Sequence, residues 1–154
     1  MKRLAVFLAL LLLVATPAVA DTLYLPSVAG GNPMWFFRVV GGLDGEADLV
    51  GGVFPVVLGR VSSDCSDTDS IVCPDGPYGS ADSEKSLSNP DGPYGSADSD
   101  VSAYDVGAQH PPRIIRCERG ICRTVWYVTR NPAISPRLDP EMLLSVLRAK
   151  GECD

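Results

Sequence analysis

From Leu4 to Ala15 the chain is one unbroken apolar run, with Lys2 and Arg3 before it and Pro17 and the small-x-small triplet Ala18-Val19-Ala20 after it. A basic start, a short apolar stretch and a small-residue cleavage site describe a secretory signal over residues 1–20. The run is shorter than the roughly 18–20 apolar residues that span hydrocarbon comfortably. No later stretch is long and apolar enough to cross a bilayer. The mature chain is expected to start at Asp21, exported, with no membrane span after signal removal.

Residues 21–61 form an apolar, Gly-rich, β-rich half. Trp35 to Val40 is aromatic and β-branched and reads as a strand. Val53 to Leu58 reads as a second, with Pro55 demoting it to an edge or bulge. Between them the glycines of "GGLDG" and Gly51-Gly52 suit turns. They make no phosphate loop, because no Gly-Lys-Ser/Thr follows and G-x-G-x-x-G is absent.

Residues 113–154 are patterned again. "RIIRCERGICRTVWYVTR" predicts a hairpin, with strands over 113–117 and 121–129 around Glu118-Arg119-Gly120. In the second strand Ile121, Arg123, Val125 and Tyr127 alternate with Cys122, Trp126 and Val128, so neither face is cleanly polar. A helix follows over 140–150. Asp139 is its N-cap, Pro140 suits the first position, and Leu143, Leu144 and Leu147 form the apolar stripe. Arg148 and Lys150 favour its C-terminus, and Gly151 is placed to stop it.

The middle, residues 62–112, loses both periods. Between Asp64 and Asp105 it carries ten acids against the single base Lys85. Large apolar residues are few, and Ser, Gly, Pro and Asp dominate. Such composition does not supply enough apolar burial to offset ordering entropy. The expected architecture is a small α+β domain. Strands within 34–58 and 113–129 and the C-terminal helix pack together, and 62–112 is a long acidic, largely irregular insert left exposed.

That insert contains a tandem repeat. Ser70–Lys85 and Ser86–Val101 are sixteen-residue copies sharing PDGPYGSADS without mismatch. Two copies fall short of the three a stacked core needs, which suggests a duplicated spacer.

The chain has 154 residues and a net charge of −6. Removing Lys2 and Arg3 with the signal makes it −8. An acidic chain of this kind does not suit nucleic acid. Clustered aspartates raise calcium as the one cofactor to weigh, with Asp67, Asp69, Asp98 and Asp100 at alternate positions. Neither pair continues as D-x-D-x-D-G with a twelfth-position Glu.

Five cysteines, Cys65, Cys73, Cys117, Cys122 and Cys153, are expected to pair outside the cytoplasm. Cys65–Cys73 and Cys117–Cys122 are the favoured bridges, with Cys153 bonded to Cys117 or Cys122 as the competing scheme. The favoured scheme leaves Cys153 as a thiol or an intermolecular bridge, and so allows a disulfide-linked dimer. Zinc is not indicated, since the spacings are wide and His110 is the only histidine.

No G-x-S-x-G, H-E-x-x-H or Walker loop occurs, and no catalytic residue stands out. The expected role is that of an exported, non-catalytic interaction or envelope-surface protein whose partner is an extracellular protein or surface. A calcium-dependent binding module and a secreted hydrolase inhibitor are the alternatives.

Overall fold

A computed structural model describes residues 33–153. The signal read over 1–20, and residues 21–32, lie outside the described residues.

The first element corrects the strand expected over Trp35–Val40. Pro33–Leu43 is an α-helix, α1. Phe36, Val40 and Leu43 are buried, while Met34, Phe37 and Arg38 face solvent. Spacings of four and three are those of a helical stripe. A run that is apolar at nearly every position carries no period of its own, so its aromatic and β-branched content pointed the wrong way. Proline in the first turn is compatible with the helix.

Two antiparallel strands follow, β1 (Ala47–Gly51) and β2 (Val56–Val61). The strand expected over 53–58 therefore begins three residues late. Gly52–Pro55 is the turn, and Gly52 sits at a left-handed φ of 78°. β3 (Arg113–Glu118) and β4 (Ile121–Val128) make the expected hairpin. Arg119 and Gly120 both have positive φ, 51° and 81°, as a two-residue type I′ loop requires. A short strand, β5 (Arg137–Leu138), runs parallel to β4. The five strands lie in the order β2-β1-β3-β4-β5.

The second helix, α2, spans Pro140–Gly151. Asp139 caps it, its carboxylate accepting the Met142 N–H at 3.0 Å. Glu152, not Gly151, takes the left-handed position that ends it, with φ 54°. Gly151 is needed for space instead, since a Cβ there would overlap the Ser63 carbonyl.

The core draws on all of these elements. Leu49, Leu58, Ile114, Val128, Leu138, Leu143 and Leu147 are fully enclosed. Residues 62–112 contain no helix or strand, yet they also enter the core. Ile71, Val72, Leu87, Tyr94 and Ala103 belong to the same buried cluster. This corrects the expectation of an exposed segment.

The physical reason is a repeating hydrogen-bond pattern that composition conceals. In three runs, over 64–70, 80–89 and 99–105, every third residue places a side-chain oxygen on the N–H two positions ahead. Asp64, Asp67 and Ser70 do this for Ser66, Asp69 and Val72. Ser80, Ser83 and Ser86 do it for Asp82, Lys85 and Ser88. Many of the same positions accept a backbone bond from the residue three ahead, as in Ser70 N–H to Asp67 O at 2.9 Å and Ser86 N–H to Ser83 O at 3.1 Å. The segment is a chain of Asx and Ser/Thr turns, which satisfy backbone groups without helix or ladder. Ordering is supplied by these local bonds together with one or two buried apolar residues per unit.

The unit is the sixteen-residue repeat, and it occurs a third time in degenerate form. Ser70, Ser86 and Ser102 are wholly buried, and each caps the second residue ahead, at 3.2, 3.0 and 3.0 Å. Ile71, Leu87 and Ala103 follow them into the core. Asn89 and Asp105, sixteen apart, cap Asp91 and Gly107.

The shared decapeptide also has a packing role. A Cβ on Gly79 would overlap the backbone of Cys73, and one on Gly95 the carbonyl of Asn89. Each glycine lets the chain curl back on the residue six before it. Each repeat tyrosine then rests on a glycine of the sheet, Tyr78 on Gly59 of β2 and Tyr94 on Gly51 of β1. One copy of the repeat thus advances the coil from one strand to its neighbour.

Candidate functional site

β3 and β4 run past the core, and residues 117–124 are all exposed. The Cys117–Cys122 disulfide joins directly opposed ladder positions, with Cα atoms 4.0 Å apart, and closes the tip. The result is a short, locked finger.

The finger is basic on an otherwise acidic chain. Arg113, Arg116, Arg119 and Arg123 face only one acid within it, Glu118. Arg116 and Arg123 are direct partners across the β3–β4 ladder. Like charges at such positions, with Cβ atoms about 5 Å apart, are destabilising. No carboxylate among the described residues lies within ion-pair reach of Arg116, Arg119 or Arg123. Elsewhere Arg60 pairs with Asp67, Arg130 with Asp139 and Glu141, and Lys150 with Asp44. Arg116 Nη2 donates to the Gly42 carbonyl in the last turn of α1, and its Nε is buried without a partner. A cleft of about 510 Å³ runs along this face, lined by the three arginines with Glu118, Ile121 and Val125.

Sequence reasoning did not single these arginines out. Their signal was the basic balance of 113–154 together with a strand in which arginine alternates with Ile121 and Val125.

The aspartates proposed for calcium do not converge. Asp67 accepts the Asp69 N–H at 3.0 Å and pairs with Arg60 at 3.3 Å. One and two units later, its position is filled by Ser83 and Ser99, which make the same bond with a neutral hydroxyl. The position selects an oxygen, not a charge. Asp100 binds His110 Nδ1 at 2.6 Å and the Gln109 N–H at 2.9 Å. Those bonds, the one to His110 foremost, hold its carboxyl below the usual value. Asp69 and Asp98 are exposed. Among the described residues no group of three His, Cys, Asp or Glu could hold a metal ion.

The cysteines pair differently from the favoured scheme. Cys117–Cys122 forms, but Cys65 joins Cys153 across 88 residues, with Cα atoms 5.8 Å apart. The remaining thiol is Cys73, and it is buried. Cys73 takes the buried position that Asn89 fills one unit later, while Cys65 is bonded to Cys153. Cys153, already bonded within the chain, does not offer the intermolecular bridge considered for it.

A second cleft, about 520 Å³, lies where α2 meets the coil, between Leu87, Tyr104, Leu144 and Arg148. Arg148 donates to Ser88 Oγ at 2.8 Å, and Arg130 stacks 4.9 Å from the Tyr104 ring. Burial, with Glu141 nearby, pushes the Tyr104 hydroxyl up. Each charged group around this cleft is already held by the protein.

No protein-family model matches the chain, and the searches of curated proteins and of solved structures return no match. Among the described residues, no helix is long and apolar enough to cross a membrane.

Proposed function

We propose that this is an exported, non-catalytic binding protein whose contact element is the β3–β4 finger. The observation that carries this reading is a projecting hairpin, locked at its tip, with three arginines that have no carboxylate partner. Two disulfides suit an oxidising compartment, and the leader over residues 1–20 suits export. The rest of the protein serves as a rigid mount. The sheet, the turn coil and α2 share one core, so the finger is fixed in direction.

The hydrolase-inhibitor alternative ranks behind it. A bait loop presents an extended backbone to an enzyme cleft, whereas Arg119 at this tip is left-handed, with φ 51°. The calcium alternative ranks behind it too, because Arg60 and His110 take up Asp67 and Asp100 and the four aspartates do not gather.

Expression of the full chain in a secretory host tests the reading. The expected product begins at Asp21, appears outside the cytoplasm, and exposes one alkylatable cysteine only after unfolding. Retention in the cytoplasm with five reactive thiols would overturn it.

A further inference from the structure

We propose that the open edge of β4, from Ile121 to Trp126, receives an extended acidic segment of a partner protein as an added strand. The inference rests on the finger being the contact element. Three observations on different levels point to this occupant.

The first is backbone. β4 pairs with β3 from Ile121 to Tyr127, with Val125 bulged out of the register, and with β5 only at Tyr127 and Val128. Among the described residues, nothing else pairs with 121–126. An uncovered edge offers N–H and C=O groups that an extended peptide can complete.

The second is the side-chain alternation beside that edge. Ile121, Arg123 and Val125 line the same cleft, Val125 at the β4 bulge, and Ile121 is 61% exposed. A strand laid alongside would meet an apolar residue, a guanidinium and an apolar residue in turn. The complementary segment has an acidic residue at its centre and apolar residues two positions to either side.

The third is charge. Arg116 stands across the ladder from Arg123, so a carboxylate arriving at Arg123 relieves a like-charge pair as well as forming a new one. A second copy of this chain does not fit. Antiparallel pairing centred on Arg123 would set arginine against arginine. A free phosphate or similar small anion would use the arginines but neither the edge nor Ile121 and Val125.

Titration of the mature, oxidised chain tests this with two labelled peptides, each alternating Val-Thr around one central residue, Asp in one and Lys in the other. The Asp peptide is expected to bind saturably and at least about tenfold more tightly than the Lys peptide. Arg123→Glu, which alters an exposed side chain and replaces the like-charge pair with Arg116 by an opposite-charge one, so that the melting temperature does not fall, should weaken it about tenfold or more. Amide exchange should slow across 121–126 on binding. Equal affinity for both peptides overturns the proposal, as does tripolyphosphate displacing the Asp peptide with no amide protection. Protection of the same amides by self-association at high concentration would assign the edge to a second copy and overturn it equally. Absence of binding by a chain that is exported and oxidised defeats this inference alone and leaves the exported reading standing.

Discussion

Asp44 Oδ1 accepts the backbone N–H of Ser63 at 2.7 Å, and its Oδ2 accepts the Ser63 hydroxyl at 2.8 Å. Lys150 Nζ reaches the same Oδ2 from the end of α2. One carboxylate therefore joins the end of α1, the start of the turn coil and the end of α2. The Cys65–Cys153 bridge ties the coil to the chain just past α2 at the same corner, where both sulfurs lie 3.7 Å from the Ser63 carbonyl.

This corner should be acid-sensitive. Burial pushes the Asp44 carboxyl up, but its hydrogen bonds to Lys150 and Ser63 outweigh that and hold it below its ordinary value. A carboxyl whose folded pKa lies below its unfolded one adds stability above the unfolded value. That contribution is lost as pH falls through the folded pKa. Denaturant melts should show the native chain losing stability below about pH 4 more steeply than Asp44→Asn. At pH 7 the Asn variant should be less stable by about 1–2 kcal/mol, chiefly through the Ser63 bonds. The exposed end of Lys150 adds little. Parallel pH profiles for the two proteins would contradict this account.

The two disulfides should differ in weight. By loop-closure entropy, a bridge across 88 residues contributes about 4.6 kcal/mol and one across five about 2 kcal/mol. Cys65→Ser with Cys153→Ser should therefore lower the melting temperature far more than Cys117→Ser with Cys122→Ser. Equal losses would mean that the unfolded chain is already constrained between its two ends.

The turn coil predicts an ordering among serines. Ser86→Ala removes a wholly buried hydroxyl that caps Ser88 and should cost about 1–2 kcal/mol. Ser80→Ala removes a capping hydroxyl from a partly exposed site and should cost less. Urea melts of the two variants decide it. A Ser80→Ala loss as large as that of Ser86→Ala would show that burial does not set the weight of these caps.

Two glycines should respond in opposite directions. Gly95→Ala forces a methyl into the Asn89 carbonyl and should destabilise by 2 kcal/mol or more, roughly the cost of overpacking. Gly41 lies within α1 with open space around its would-be Cβ. Gly41→Ala should stabilise by about 0.5–1 kcal/mol through helix propensity alone. A neutral Gly95→Ala would mean that the decapeptide curl is looser than its packing implies.

Calcium at millimolar concentration should leave the melting temperature unchanged. A rise that EDTA reverses would restore the ion reading of the aspartates.

What could be read from the sequence followed how local the signal was. The α2 cap at Asp139 and the Arg119-Gly120 turn rest on neighbours within four residues, and they fold as expected. The helical state of Phe36 and Val40 depends on which face meets the core, and a run without period does not contain that information. The coil was misjudged for a different reason. Its order comes from oxygens three apart in short runs, a spacing that belongs neither to strand nor to helix. The third unit, beginning at Ser102, shares little with the others beyond the serine itself. The site arginines were visible as composition, but their opposition across the ladder depends on the hairpin register.

The step of one strand per sixteen residues bears on how such a coil could lengthen. Copying sixteen codons in frame brings a new serine, a new apolar residue and a new tyrosine to the places where the next are due. An insertion that is not a multiple of sixteen would put the serine of every later unit out of phase with its inward position and shift its tyrosine off the glycine that receives it. Growth in whole units of sixteen is therefore what this packing accommodates, and the two verbatim decapeptides stand one such increment apart.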